Sequence, residues 1–321
     1  MQTMIDFDDA PVFAMPGFDG IGVREGMLIE GPQGWGEFSP HDGDDDRVAA
    51  RWLTTAIESG TVGWPDPVRG RVPIAVTVPA VDPGRAHHIV LNAGCRSADV
   101  TVGDRTGSLA DDVARLEAVR DALGADGVIR CSANGIWDVD TAVSAIAVLD
   151  RAAGGLEFVE QPCRTAEELG GVRARVDVPI ATTVPIRPDD APRASLVGVA
   201  DIAVLRCGPL GGVRRALVIA EACGLPCVVT STGKSSIGLS AGLALAGALP
   251  ELRYACGLGT TSLLSGDLVA GPRSLIPVGG YLPVAPMPPA PDPELVKQYA
   301  ITDVDRIAWW RERLGAARAV L

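Results

Sequence analysis

From about residue 72 onward, this 321-residue chain alternates short runs rich in β-branched residues with segments of helical periodicity. The predicted strands are 72–77, 98–102, 128–132, 156–160, 178–182, 201–205, 226–230 and 253–257. The predicted helices are 84–92, 108–123, 138–152, 166–175, 189–196, 212–223 and 236–249. Eight strands interleaved with helices are typical of a β/α barrel. An open doubly wound sheet is the less favoured alternative, because no Gly-x-Gly-x-x-Gly follows the first strand.

The two ends of the chain differ from this repeating region. A hairpin is predicted from Gly20–Glu30 and Trp35–Phe38, followed by a helix at Asp46–Glu58. After Pro277, a proline-rich connection leads to a final helix at Asp303–Ala319. We therefore predict three parts, which are an α+β unit (1–72), the barrel (73–276) and a C-terminal segment (277–321).

Composition limits the classes of partner. The chain has 28 Lys+Arg against 40 Asp+Glu, a net charge of −12, which argues against nucleic acid and anionic membranes. It contains no apolar run near the ~20 residues of a membrane helix and begins with no export leader. The 7 cysteines include no Cys-x-x-Cys pair, so we expect reduced thiols. These features predict a cytoplasmic protein that acts on a small molecule, and they are compatible with a homo-oligomer.

Only two lysines occur among the 28 basic residues, Lys234 and Lys297. Lys234 lies in Thr-Gly-Lys-Ser-Ser, between a predicted strand and a helix. A nucleotide phosphate loop is excluded, because the required glycine five residues before Gly233 is Val228. Lys234 is a candidate for binding a carboxylate, for general acid catalysis or for a Schiff base. The alternatives are a charge partner within the barrel and a solvated loop lysine.

Six motifs occur along the chain: Gly-Trp-Gly-Glu-Phe-Ser-Pro (34–40), Ala-Asn-Gly-Ile-Trp-Asp (133–138), Glu-Gln-Pro-Cys (160–163), Pro-Leu-Gly-Gly-Val (209–213), Ser-Ser-Ile-Gly-Leu (235–239) and Tyr-Ala-Cys-Gly-Leu (254–258). In this order they resemble the o-succinylbenzoate synthases of the enolase superfamily. The resemblance implies a capping domain over a (β/α)₇β barrel, with the C-terminal segment returning to the cap. It also implies an enzyme that dehydrates a cyclohexadiene carboxylate in menaquinone biosynthesis, with two strand-end lysines and a Mg²⁺ held by three carboxylates.

The family's basic and cap positions fall on other residue types here. Its second-strand Lys-x-Lys falls on Asp99-Val100-Thr101, and its sixth-strand lysine falls on Arg206. A glutamate of the seventh strand end becomes Lys234. In the cap, an arginine becomes Asp19 and an aromatic residue becomes His41. Arginine cannot replace a lysine base, because its pKa stays above about 12.

The family's metal ligands are also mostly absent. Of the three carboxylates only the second is present, as Glu160, while the others fall on Ser132 and Thr183. Mg²⁺ needs hard oxygen ligands whose charge offsets its dehydration. We therefore predict no metal and no other cofactor, and we expect the parent reaction to be lost.

The charged residues at the strand ends allow two interpretations. Asp99 and Arg206 occupy facing positions in the family, so they predict either a structural ion pair or an acid/base group beside an anion-binding arginine. Glu160 is predicted to pair with Arg206 or Lys234, with a catalytic carboxylate as the alternative. Lys234, in turn, has Glu160 or Asp99 as its predicted partner.

Neutral and cap residues complete the predicted site. Four polar residues at the strand ends are expected to line a hydrogen-bonding pocket: Thr101, Ser132, Asn134 and Thr183. Of these, Asn134 also occurs in the family, which favours structural support. His41 and Asp19 are candidate substrate contacts from the cap, although a solvated loop is the simpler interpretation of His41.

The charge exchanges at the site are complementary rather than random. They lead us to predict a metal-independent lyase or cyclase acting on a carboxylate-bearing metabolite. Asp99, Glu160 and Lys234 would move protons, and Arg206 would bind the anion. The alternatives are a non-catalytic binding or scaffold protein and, least favoured, o-succinylbenzoate synthase activity.

Overall fold

The computed structural model describes residues 5, 7–17, 22–104, 107–184, 196–259 and 263–321. Asp19 and nearly all of the predicted helix 189–196 lie outside these residues. The chain begins with an antiparallel sheet and a helix: β1 (Val12–Pro16), β2 (Val23–Gly31), β3 (Gly34–Phe38) and α1 (Asp46–Thr61). We call this unit the cap. Gly36 lets α1 approach the sheet closely, because a Cβ at this position would lie 2.1 Å from the carbonyl oxygen of Ala56.

Eight parallel strands form the barrel. They are β4 (Arg71–Val78), β5 (Ser97–Thr101), β6 (Val128–Ser132), β7 (Val159–Glu160), β8 (Ile180–Thr183), β9 (Ile202–Leu205), β10 (Cys227–Val229) and β11 (Cys256–Gly259). Each strand pairs with the next in chain order, and β11 pairs with β4. A parallel bridge between Thr230 and Gly257 joins β10 to β11 and completes the ring. The predicted barrel is therefore confirmed.

Helices surround the barrel and follow it. They are α2 (Pro83–Ala93), α3 (Leu109–Leu123), α4 (Val139–Ala153), α5 (Ala166–Arg173), α6 (Cys207–Leu210), α7 (Val213–Cys223), α8 (Ser236–Ala248), α9 (Pro293–Gln298) and α10 (Val304–Ala319). Ser108 begins α3 with a capping box, and the Asp138 side chain accepts from the amide of Thr141 at the start of α4. These caps satisfy backbone N–H groups that would otherwise lack partners.

The sequence pattern missed several short elements. Among them are β1, α6, α9 and β12 (Tyr281–Pro283), of which β12 pairs antiparallel with β4. Elements of three to six residues carry too few periods to be recognised. The remaining described elements lie within a few residues of their predicted bounds.

Buried apolar side chains form separate clusters in the barrel and in the cap. On β5, Ala98 and Val100 face the helices, while Asp99 faces the barrel interior. In the cap, Trp310 and Leu314 of α10 join the core formed with α1, and the Trp310 ring meets Phe38 edge-on at 6.1 Å. The end of the chain therefore packs on the cap, while the domain boundaries at 72 and 276 stay predictions.

Two general properties complete the fold. Within the described ranges, no helix combines the length and the apolarity that crossing a bilayer requires. All seven cysteines are buried and free, so none forms a disulfide. The cytoplasmic location, the small-molecule partner and the oligomeric state stay predictions.

Candidate functional site

The carboxyl ends of the strands place a ring of polar side chains at the barrel mouth. Strand pairing sets Thr101 beside Ser132 and Ser132 beside Glu160. Thr183 ends β8, and Arg206 follows β9 directly. In β/α barrels this end carries the functional site. The ring contains one carboxylate, one guanidinium and several hydroxyls.

Glu160 is the centre of this ring. Its side chain is 4% exposed and accepts from Arg206 Nη2 at 2.9 Å. The hydroxyl of Thr183 donates to the same carboxylate oxygen at 3.0 Å, and the hydroxyl of Ser132 donates to the other at 3.2 Å. The predicted pairing of Glu160 with Arg206 is present, and three donors satisfy the buried carboxylate.

The residues around Glu160 do not fit the Mg²⁺ that the fold family implies. Ser132 and Thr183 supply neutral hydroxyls where the family has carboxylates, so a single negative charge remains. The guanidinium of Arg206 adds a positive charge 2.9 Å from that carboxylate. Among the described residues, no group of three His, Cys, Asp or Glu side chains is arranged to hold a metal ion. A dication needs more negative charge than this donor set offers.

Asp99 lies below the ring and pairs with a residue that the sequence-based prediction missed. Its Oδ2 accepts from Arg130 Nε at 3.2 Å, and Arg130 also donates to the carbonyl of Ala255 at 2.5 Å. Arg130 is 1% exposed and stacks over the Phe158 ring at 5.0 Å. Burial raises the pKa of Asp99, although Arg130 opposes this shift.

The predicted pair of Asp99 with Arg206 is therefore wrong. Asp99 lies deeper in the barrel than Arg206, so Asp99 pairs with Arg130 and Arg206 pairs with Glu160 at the mouth. Arg130 stands two residues before Ser132 on β6 and shares its inward register. That alternation was the available signal for Arg130.

Lys234 lies at the contact between barrel and cap. It is 4% exposed, and its ammonium lies 3.5 Å from Glu37 Oε1 and 3.3 Å from the carbonyl oxygen of Ser39. It also donates to the Ser39 hydroxyl and sits 3.9 Å from the Trp52 ring centre. The predicted partners Glu160 and Asp99 are wrong, and so is the solvated-loop alternative. We call Lys234, Glu37, Ser39 and Trp52 the clasp.

Electrostatics in the clasp keep Glu37 ionised. Burial opposes its ionisation, but Lys234 and Arg24 outweigh burial and hold the pKa of Glu37 below its ordinary value. Burial, followed by the charge of Arg24, lowers the pKa of Lys234 well below its usual value, and Glu37 opposes this shift. Glu37 also accepts from the Ser235 amide at 3.1 Å, at the start of α8.

A cavity of about 180 Å³ lies between the cap and the barrel mouth. From the cap, His41 and Trp52 line it, and from the barrel, Arg206 and Thr232 do so. The Arg206 side chain is 31% exposed there, while its Nε lies 3.4 Å from the Thr230 hydroxyl. An arginine held on one side and open on the other is suited to binding an anion.

His41 bridges the cap and the barrel beside this cavity. Its Nε2 lies 3.5 Å from the Thr232 hydroxyl, and its ring meets Trp52 edge-on. Partial burial and the nearby cations Arg24, Lys234 and Arg206 lower its pKa to about 4. His41 is therefore neutral at physiological pH and offers a hydrogen bond rather than a charge.

Of the four predicted pocket residues, Thr183 lines the cavity, whereas Thr101, Ser132 and Asn134 do not. Thr101 ends β5, and its carbonyl oxygen accepts from Arg115 at 3.1 Å. Asn134 is exposed and has φ 52°, a left-handed conformation that asparagine tolerates better than most residues. Its place in the β6–α4 turn supports the structural interpretation. Asp19 lies outside the described residues.

A larger cavity of about 1040 Å³ lies beside α2, and Gly259, the last residue of β11, lines part of it. This cavity lies between α2 and residues 264–277, and its mainly apolar lining includes Ile89, Val269 and Leu295. Neither Glu160 nor Arg206 contributes to its lining. The chemistry of the strand ends therefore favours the smaller cavity as the functional site.

Comparison with known proteins identifies the relatives of this chain. Residues 84–288 match the family model "Enolase C-terminal domain-like", and residues 13–60 match "Enolase N-terminal domain-like". The o-succinylbenzoate synthase of Thermobifida fusca (strain YX) is 51% identical over 311 residues, which are 96% of this chain and 95% of that protein. The o-succinylbenzoate synthase of Mycolicibacterium smegmatis is 48% identical, covering 95% of this chain and 92% of that protein.

Solved structures agree on the fold. The muconate lactonizing enzyme from Pseudomonas putida superposes with a TM-score of 0.75 at 20% identity, covering 93% of this chain and 99% of that one. The L-Ala-D/L-Glu epimerase from Bacillus subtilis gives 0.74 at 20% identity, covering 90% and 98%. At this identity the likeness concerns the architecture alone.

These relatives overturn the leading functional prediction. The exchanged residues predict a metal-independent lyase or cyclase with new chemistry, and this prediction is wrong. Curated relatives at 42–51% identity over most of the chain are named o-succinylbenzoate synthase. They favour o-succinylbenzoate synthase activity, which was the least favoured alternative in the sequence-based prediction.

Proposed function

Because this chain belongs to the o-succinylbenzoate synthase family of the enolase superfamily, we propose that it binds the ligand of that family at its barrel mouth. The ligand is o-succinylbenzoate or its cyclohexadiene precursor, and the proposed reaction is the dehydration that joins them. The observation that carries this proposal is the 51% identity to a named synthase over 95% of that protein's length.

The site supports binding through charge and hydrogen bonds. The ligand carries carboxylates, and the open side of Arg206 offers a guanidinium suited to them. Thr232 and the neutral ring of His41 add hydrogen-bonding groups on two sides of the same cavity. Trp52 and the cap cover the cavity, which strengthens such contacts by limiting water.

Binding without turnover is a second candidate, favoured by one specific observation. Thr101 stands where the family has its lysine base, and Arg206 stands where it has the second lysine. A threonine hydroxyl and a guanidinium are both poor general bases at neutral pH. Both candidates share one ligand and one site, so a single experiment separates them.

The test combines calorimetric titration with a turnover assay on the purified chain. We expect o-succinylbenzoate to bind, and we expect Arg206→Ala to weaken binding by about 10- to 100-fold, the loss of one charge-assisted contact. Arg253→Ala is the matched control, since Arg253 is 61% exposed and precedes β11 at the opposite end of the barrel. No binding by the wild-type chain would overturn the proposal.

Turnover is then measured by following o-succinylbenzoate formation from the precursor, with and without added Mg²⁺. Formation that Arg206→Ala reduces and Arg253→Ala does not would establish the relatives' reaction. Binding with no product under either condition would establish the second candidate.

A further inference from the structure

We propose that the guanidinium of Arg206 is the resident counter-cation of Glu160 and excludes a divalent metal from this site. The site then presents a guanidinium, rather than a metal ion, to a ligand carboxylate. The last point rests on the proposed function, whereas the exclusion of metal does not.

The first support is the way in which Glu160 is satisfied. Its Oε1 accepts from Arg206 at 2.9 Å and from the Thr183 hydroxyl at 3.0 Å, while its Oε2 accepts from Ser132. A metal ion at this carboxylate would have to displace these donors. It would gain only neutral hydroxyl oxygens in exchange, and Mg²⁺ prefers anionic oxygens.

The second support is the fixed position of Arg206. Its Nη2 is bonded to Glu160, and its Nε faces the Thr230 hydroxyl at 3.4 Å, so contacts on two strands hold the guanidinium plane. The guanidinium of an arginine carries a permanent positive charge in proteins. A dication beside it would experience repulsion that a single carboxylate does not offset.

The third support is the charge balance around the pair. The carboxylate of Asp99, deeper in the barrel on β5, is already engaged by Arg130 at 3.2 Å. Glu160 and Arg206 therefore neutralise each other and leave no surplus negative charge at the mouth. The consequence for binding is a preference for an anionic ligand over a cation.

The experiment is a Mn²⁺ titration followed by electron paramagnetic resonance, with Mn²⁺ as the probe for a magnesium-type site. We expect the wild-type chain and Glu160→Gln to give the same titration, because no bound ion depends on Glu160. A Mn²⁺ site present in the wild type and lost in Glu160→Gln would overturn the inference. The Glu160→Gln substitution introduces no new charge that could perturb the fold.

A second arm rebuilds the missing charge. The variant Ser132→Asp/Thr183→Asp/Arg206→Lys restores two carboxylates and removes the guanidinium, and we expect it to gain a Mn²⁺ site. Its matched control, Ser132→Asp/Thr183→Asp, retains Arg206 and is expected to bind at least about tenfold more weakly, because of charge repulsion. Equal affinity in both would show that Arg206 does not exclude the metal.

A third arm concerns the ligand. We expect wild-type affinity for o-succinylbenzoate to be equal in EDTA and in Mg²⁺. Binding that disappears in EDTA and returns with Mg²⁺ would overturn the inference while leaving the proposed function intact. Absence of o-succinylbenzoate binding in both solutions would overturn the proposed function, while the Mn²⁺ titrations would still decide the metal question.

Discussion

The ion pair of the clasp and the ion pair of the barrel mouth differ in how far the cation is exposed. In the clasp, Glu37 and Lys234 have side chains 0% and 6% exposed, whereas in the barrel mouth Glu160 is 4% exposed and Arg206 is 31% exposed. Both carboxylates are enclosed, so the difference lies in the cation. An enclosed cation can only hold the fold together, while a partly open one can also meet a ligand.

The largest expected effect tests the enclosed pair. Glu37→Gln leaves Lys234 buried without its counter-charge, so we expect the free energy of unfolding to fall by about 3–5 kcal/mol. Urea denaturation at pH 7.5 measures it. The matched control is Glu251→Gln, whose partner Arg253 is exposed, and its effect should stay within about 1 kcal/mol. Equal effects would remove the distinction between the two pairs.

The open pair is tested by measuring stability and affinity on one variant. Arg206→Ala should weaken o-succinylbenzoate binding by about 1.5–3 kcal/mol, the value of a hydrogen bond to a charged group. We expect a smaller loss of unfolding free energy than for Glu37→Gln, because water can enter the mouth and solvate Glu160. A loss of unfolding free energy as large as that of Glu37→Gln would show that Arg206 also serves mainly to stabilise the fold.

A glycine tests how closely the cap must sit on the barrel. A Cβ at Gly208 of α6 would lie 2.0 Å from the Trp52 ring, so Gly208→Ala should destabilise by about 1–3 kcal/mol through overpacking. Gly315→Ala in α10 is the control, since its Cβ would meet open space. Helix propensity predicts that this control stabilises by up to about 1 kcal/mol. Thermal unfolding of both variants measures the contrast.

The remaining prediction concerns pH and His41. Its pKa of about 4 in the folded chain lies below the unfolded value of 6.5, so its contribution to stability is complete above pH 6.5 and is lost toward pH 4. Wild-type stability should therefore fall more steeply over this range than that of His41→Gln. His88→Gln, at an exposed histidine of α2, is the control. Parallel slopes for wild type and His41→Gln would contradict the shift.

Much of the fold was predictable because periodicity is a local property. The eight barrel strands and the helix starts at Ser108 and Asp138 follow from alternation and capping, which involve neighbours in sequence. The inward register of Ser132 and Thr183 followed from the same alternation. Arg130 obeyed it as well but was overlooked, because no family motif drew attention to it.

The functional prediction failed for a different reason. Residue exchanges at the strand ends indicated lost family chemistry, and from that loss we predicted a new reaction. The relatives at 42–51% identity contradict that step. Loss of a metal ligand limits what a site can do, but it does not specify a replacement reaction.

The sequence by itself determined the barrel, the cap and the missing carboxylates at Ser132 and Thr183. Only the tertiary structure decided which charges meet. Lys234 and Glu37 are 197 residues apart in the chain, and Arg130 and Asp99 are 31 residues apart. Pairing depends on distance and solvent access after folding, and neither is encoded in the spacing of residues along the chain.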